Sequence, residues 1–370
     1  MLRLVLVHSA LWGAVAKTGL VFAFYHGRLY TRMDFQNEHN GFETIYGLIQ
    51  LENKYGAQIP DLYSEINGGL TSDGAGGDFS FWRQPGTNGS LLWPDSDTFG
   101  RLDLHIAPLH FIMKQFEAEP MDFKHRADIV FWSGNQGGGD EHARDHFREC
   151  ADKQPHLFHA DTIHWDASWS VGEHILKPHV WDLRKLMRNK FNMYIRGNTW
   201  SQSFKRVAQS GGVVFIPEPN PHESFYSRIA SKCVDCYLTY DVNNMCHSII
   251  GTLENTSKSE MHMLAEKFQE FTHREFSNSR MLEYMLEGLL EHVSKERFPG
   301  AQAGPGATEI TVDGVALTRT DCAMNKREHV LYHNNRHDQQ DSGGHKWQLN
   351  EWFDDQCNFR DTNYLSYVAI

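Results

Sequence analysis

The chain has 370 residues, long enough for two domains, and its 40% hydrophobic and 22% charged content is that of a globular protein able to bury cores. A formal net charge of −12 argues against broad electrostatic binding to nucleic acid, which needs a basic footprint. Six cysteines (Cys150, Cys233, Cys236, Cys246, Cys322 and Cys357) are too few for a disulfide-built scaffold of this length. The Cys233/Cys236 CxxC lacks the second close pair of a structural zinc site, which leaves a local disulfide or buried thiols.

In chain order, Met1 to Ala16 carries Arg3 and an apolar run interrupted by His8 and Ser9. It is too short and mixed for a membrane span, and reads as a weak signal segment or the first element of the fold. Gly19 to Tyr25 forms a plausible strand that turns back at His26-Gly27. Phe42 to Tyr55 has helical spacing, with Ile45, Leu48, Ile49 and Leu51 apolar. A strand at Leu62 to Ile66 leads into a long Gly/Ser/Asp loop, 68–78, of the kind that often carries function. Ala127 to Trp132 reads as a buried strand, Ser133 to Gly139 as its glycine-rich loop, and Asp140 to Cys150 as a helix with acids in its first turn. The unit repeats: strand Phe191 to Ile195, loop Arg196 to Trp200, helix Ser201 to Ser210 closed by Gly211-Gly212, strand Val213 to Ile216. Such alternation predicts an α/β domain with a doubly wound parallel sheet. Helices follow at Lys258 to Phe276 and Ser279 to Lys295, the second with a core stripe of Met281, Leu282, Met285, Leu286, Leu289, Leu290 and Val293. A Gly/Ala/Pro linker then precedes a small hairpin at Ile310 to Val315 and a polar tail without an assigned role.

Ligands of open parallel sheets bind beyond the carboxyl ends of the strands. Two loops there suit an anion. One is Ser133-Gly134 and the glycines after it, with Arg144 in the next helix; the other is Gly197-Asn198-Thr199-Trp200-Ser201, followed by Ser203, Lys205 and Arg206. Each alone is equally an ordinary βα turn, but two in one domain favour a nucleotide diphosphate. Glu223 is placed to accept ribose hydroxyls, or to serve only a helix dipole. Asp95-Ser96-Asp97 has the form of a metal-binding DxD. His142 and His146 stand four apart on a helix, as do His329, His333 and His337 if that segment is helical, yet no HExxH is present and surface histidines are the simpler reading.

Taken together, Tyr194-Ile195-Arg196-Gly197-Asn198-Thr199-Trp200-Ser201, Ser210-Gly211-Gly212-Val213-Val214, Glu223-Ser224-Phe225-Tyr226, Phe131-Trp132-Ser133-Gly134 with Arg144-Asp145, and Leu92-Trp93-Pro94-Asp95 resemble glycosyltransferase family 90. This is the protein O-glucosyltransferase and capsule-associated xylosyltransferase group. The resemblance implies a GT-B fold of two Rossmann-like lobes with parallel sheets: an acceptor-side lobe at 1–120, a donor lobe at 121–298, and a polar extension at 299–370. It implies inverting transfer from a UDP-sugar, glucose or xylose, to a hydroxyl of a glycan or protein acceptor, with no metal and no cofactor. Ser133, Gly134, Arg144, Gly197, Asn198, Thr199, Ser201 and Lys205 would hold the diphosphate, and Glu223 the nucleoside side. The family's catalytic Asp aligns near Leu70, so Asp73 is the nearest base and Asp95 the alternative. The family's Arg two residues after the helix serine is Ser203 here. A metal-dependent transferase using Asp95 and Asp97, and a non-catalytic sugar- or nucleotide-binding relative, are the competing expectations. The ER or Golgi lumen is the expected location, with sequons at Asn88 and Asn255 in weak support and a cytoplasmic setting, viral or algal, as the alternative.

Overall fold

The computed structural model describes residues 20–32, 41–67, 78–83, 90–100, 108–118, 120–135, 141–163, 183–197, 201, 203–220, 223–303, 307–328 and 353–358. The first lobe contains β1 (Leu20–Tyr25), β2 (Arg28–Thr31), α1 (Gly41–Tyr55), β3 (Leu62–Asn67), β4 (Phe79–Ser80), β5 (Trp82–Arg83), β6 (Leu91–Leu92) and α2 (Leu109–Ala118). The second contains β7 (Ala127–Asn135), α3 (Glu141–Lys153), β8 (Phe158–Ile163), α4 (Leu183–Arg188), β9 (Asn189–Met193), α5 (Phe204–Gln209), β10 (Val213–Pro217), β11 (Glu223–Ser224), α6 (Phe225–Ala230) and β12 (Leu238–Tyr240). Three helices follow, α7 (Met245–Asn255), α8 (Lys258–Glu275) and α9 (Asn278–Lys295), and then β13 (Ala301–Gln302), β14 (Glu309–Val312) and β15 (Val315–Arg319).

The first sheet has eight strands in the order β13-β14-β15-β2-β1-β3-β4-β6. It is antiparallel from β13 to β3, and parallel through β3, β4 and β6. β1 is apolar at every residue because it lies inside this sheet with both faces covered. One face packs on α1 through Phe22, Phe24, Ile45, Leu48 and Ile49; the other meets the C-terminal hairpin through Val21, Ala23, Ile310, Val312 and Leu317. The hairpin expected near 310 is therefore part of the first lobe's sheet. The Thr31 and Thr320 hydroxyls, 2.8 Å apart, reinforce the join.

Gly47 in α1 is there for space. A Cβ at this position would lie 2.4 Å from the buried ring of Phe99. Gly47→Ala is expected to cost about 1–3 kcal/mol by overpacking, read as a shift in the urea midpoint with unchanged slope.

The second sheet is wholly parallel, in the order β12-β10-β9-β7-β8. The apolar stripe of α9 divides between the lobes. Leu282, Met285 and Leu289 enter the first lobe's core, while Met281 joins a cluster with Tyr194, Phe204 and Tyr226 of the second. All six cysteines are bonded, as Cys150–Cys246, Cys233–Cys236 and Cys322–Cys357. The CxxC is thus the local disulfide, and the other four cysteines make long-range links that their spacing did not announce. Among the described residues no helix is long and apolar enough to cross a membrane.

Candidate functional site

The second sheet changes direction between β7 and β9: from β7 the chain moves outward to β8, then returns to add β9, β10 and β12 on the other side. In parallel sheets of this kind the usual ligand position lies beyond the carboxyl ends of the strands on either side of such a reversal, here β7 and β9. The two anion-friendly segments of the sequence follow these two strands in the chain.

β7 runs further than its apolar residues suggest. Ser133, Gly134 and Asn135 still pair with β8, opposite Asp161, Thr162 and Ile163. Ser133 and Gly134 are therefore strand-end positions and not loop. Gly134 is required by its neighbour, because a Cβ would lie 2.6 Å from the Trp132 indole folded over it. The Arg144 guanidinium of α3 stands 5.9 Å from the centre of the Trp132 rings and donates to the Arg196 carbonyl at 3.2 Å. This one buried cation thus spans from the end of β7 to the segment leaving β9.

Beyond β9 the segment is fixed by Tyr194. Its hydroxyl accepts the Ser201 N–H at 3.4 Å, and its carbonyl accepts the Tyr240 hydroxyl at 2.9 Å. Burial pushes the Tyr194 phenol up to about 12, so it stays neutral at physiological pH. The Ser201 and Ser203 hydroxyls lie 2.7 Å apart. Held in this way, residues 201 and 203 stay outside the helix, and α5 begins at Phe204, not at Ser201 as the sequence suggests. It ends as expected: Gly211 takes φ +70°, where a side chain would strike Arg126. Arg126 itself, lowered to about 10 by burial yet charged at neutral pH, donates to the Ser210 carbonyl at 2.9 Å.

The structure brings together two residues that the sequence assigns to different tasks. Asp95 of the first lobe and Lys205 of α5 form an ion pair with side-chain exposures of 3% and 1%. A carboxylate so buried and paired serves as neither base nor metal ligand unless the pair first breaks, and an ammonium so placed reaches a diphosphate only at the same cost. Beside them Thr98 and Tyr226 are hydrogen-bonded, and Lys205 lies 5.2 Å from the Tyr226 ring centre. Leu92, Leu109 and Met113 of the first lobe complete the apolar surround.

Glu223 lies on the same seam. It belongs to β11, which pairs antiparallel with β5 across the lobes, whereas the sequence suggests a helix start. Its carboxylate accepts from Arg83 Nε at 2.8 Å, and Arg228 stands 3.9 Å away. The capped helix, α6, begins two residues later, with the Ser224 and Ser227 hydroxyls forming a reciprocal capping box. Arg83 was not singled out in the sequence, because a cross-lobe ion pair leaves no local pattern, and Trp132 was named only within its motif, without the role of packing over Gly134. Asp73, Asn198 and Thr199 lie outside the described residues, as does the Asp97 side chain.

The sequence matches glycosyl transferase family 90 over residues 78–342, more than half of the chain, and the protein belongs to that family. Its two lobes are both α/β, the first built on a mixed sheet and the second on a wholly parallel one. No curated protein matches the sequence. Among solved structures, the α,α-trehalose-phosphate synthase (UDP-forming) of Burkholderia vietnamiensis aligns with TM-score 0.30 and 9% identity, over 50% of each chain. The α,α-trehalose 6-phosphate synthase of Burkholderia multivorans aligns with TM-score 0.34 and 9% identity, over 56% of this chain and 51% of that one. An OtsA apo structure aligns with TM-score 0.32 and 8% identity, over 50% of each chain. The alignments span about half the length of those chains.

Proposed function

We propose that the protein transfers a sugar, glucose or xylose, from a UDP-sugar to a hydroxyl of a glycan or protein acceptor, with inversion and without a metal ion. The observation that carries this reading is Arg144, buried where the parallel sheet changes direction and reaching from β7 to the segment after β9. Charge develops on the departing diphosphate as the bond to the sugar breaks, and preorganised donors there accelerate the step most. Arg144, the Ser201 hydroxyl and the backbone N–H groups near Gly134 and Gly197 are assigned this task, with Asn198 and Thr199 in the same segment. Asp73, in the segment that follows β3, is assigned as the base that takes the acceptor proton. Asp95 and Lys205 are assigned to holding the lobes together, and Glu223 with Arg83 to the same seam, at the edge of the nucleoside side. The three disulfides support an oxidising compartment such as the ER or Golgi lumen.

UDP is expected to raise the melting temperature in the presence of EDTA, whereas ADP and GDP do not. A ligand held only by the native state at 100 times its Kd stabilises by about 2.7 kcal/mol. Stabilisation that requires Mn²⁺ overturns the metal-free reading. UDP binding with no transfer from any UDP-sugar favours the binding-protein alternative, for which Ser203 in place of the family's arginine is the supporting feature.

A further inference from the structure

We infer that His142 and His146 of α3 form a chelating site for a divalent transition metal of the zinc class, on the outer face of the donor lobe. The two residues are one helical turn apart, and their rings are already gathered, with centroids 3.9 Å apart and planes inclined by 54°. Two imidazoles on one face of a helix at this spacing can bind one ion at the usual metal–nitrogen distance of about 2.0–2.1 Å, with only a small opening of the rings.

The second observation concerns the tautomer. His146 Nδ1 lies 3.3 Å from the Val242 carbonyl oxygen. A carbonyl can only accept, so Nδ1 carries the proton and the lone pair sits on Nε2, the arrangement that metal-ligating histidines use. That carbonyl is held in place. Val242 opens the turn before α7, and four residues later Cys246 is disulfide-bonded to Cys150, itself four residues after His146. The helix and the turn are therefore fastened at two points one turn apart, which fixes the His146 ring before any metal arrives.

His142 is exposed and His146 half-buried, so the pair is open to solvent. Among the described residues no third His, Cys, Asp or Glu joins them in a cluster, so water completes the shell. The carboxylates further along the helix have their own cations: Asp145 lies 3.5 Å from Arg148, and Glu149 lies 3.1 Å from Lys153. A neutral two-imidazole site of this kind selects Zn²⁺, Ni²⁺ or Cu²⁺ over Mg²⁺. Arg144, between the two histidines in sequence, is buried and points to the opposite side of α3. The metal would thus staple the first turns of the helix that carries Arg144, on the side away from that residue.

The test is calorimetric titration of the EDTA-treated, dialysed full chain with ZnCl₂, beside His142→Gln, His146→Gln and the double variant, whose folding is checked by melting in EDTA. The wild type is expected to bind one Zn²⁺ more than the double variant. Each single variant should weaken the site by more than the roughly 10-fold minimum seen when only an outer-shell partner is lost. Mg²⁺ should give no heat at this site. Equal Zn²⁺ stoichiometry and affinity in the wild type and the double variant overturn the proposal. Because UDP binding is not involved, failure here is distinct from failure of the transferase reading.

Discussion

Arg144→Ala is expected to lower the rate of sugar transfer by about 10²–10³-fold, the usual consequence of removing one preorganised donor from a site of developing negative charge. The guanidinium links the end of β7, through Trp132, to the carbonyl at Arg196. Arg144→Lys keeps the charge but loses the planar fork, and should recover only part of the rate. Activity is measured as UDP release from the preferred UDP-sugar, with a melting curve taken in parallel because Arg144 is buried. A folded alanine variant with wild-type rates removes Arg144 from the site.

The second large effect concerns stability. Lys205→Met strands the Asp95 carboxylate at a position where its side chain is 3% exposed, and is expected to cost about 3–5 kcal/mol. The double variant, Asp95→Leu with Lys205→Met, should regain most of that loss, since apolar groups of similar volume often replace a buried pair without penalty. Urea unfolding of the four proteins completes the cycle. If Lys205→Met unfolds like the wild type and instead loses only UDP affinity, the lysine contacts phosphate, as the sequence suggests, and the buried pair does not persist in solution.

Much of the fold could be read locally. The alternation from Ala127 to Pro217 is realised as β7, α3, β9, α5 and β10, and the helix from Gly41 to Tyr55 follows from the spacing of Ile45, Leu48, Ile49 and Leu51. Elements with weaker periodic signals escaped, among them α2, β8, β12 and the two-residue strands β4, β5 and β6. Short strands contribute too few residues for an alternation to show, and their pairing partners lie elsewhere in the chain.

The candidate site divides in the same way. The glycine segments and Arg144 could be picked out as candidates because an anion-binding turn is built from consecutive residues. The strand end at Ser133 and Gly134 was not, since only pairing with β8 extends β7 through them. Nor was the pairing of Asp95 with Lys205, 110 residues apart, or that of Arg83 with Glu223, 140 apart.

What the sequence by itself determined is the helices and strands with a clear hydrophobic period, the parallel character of the second sheet, and the family. These rest on hydrophobic period, turn residues and short motifs, all of which act between near neighbours in the chain. Only the tertiary structure decided which strands pair, which lobe receives α9 and the C-terminal hairpin, and which charges meet at the seam. Such contacts depend on long loops closing and on shapes that fit, and a charged residue looks the same in sequence whether it ends in water, against a ligand, or buried against a partner from the other lobe.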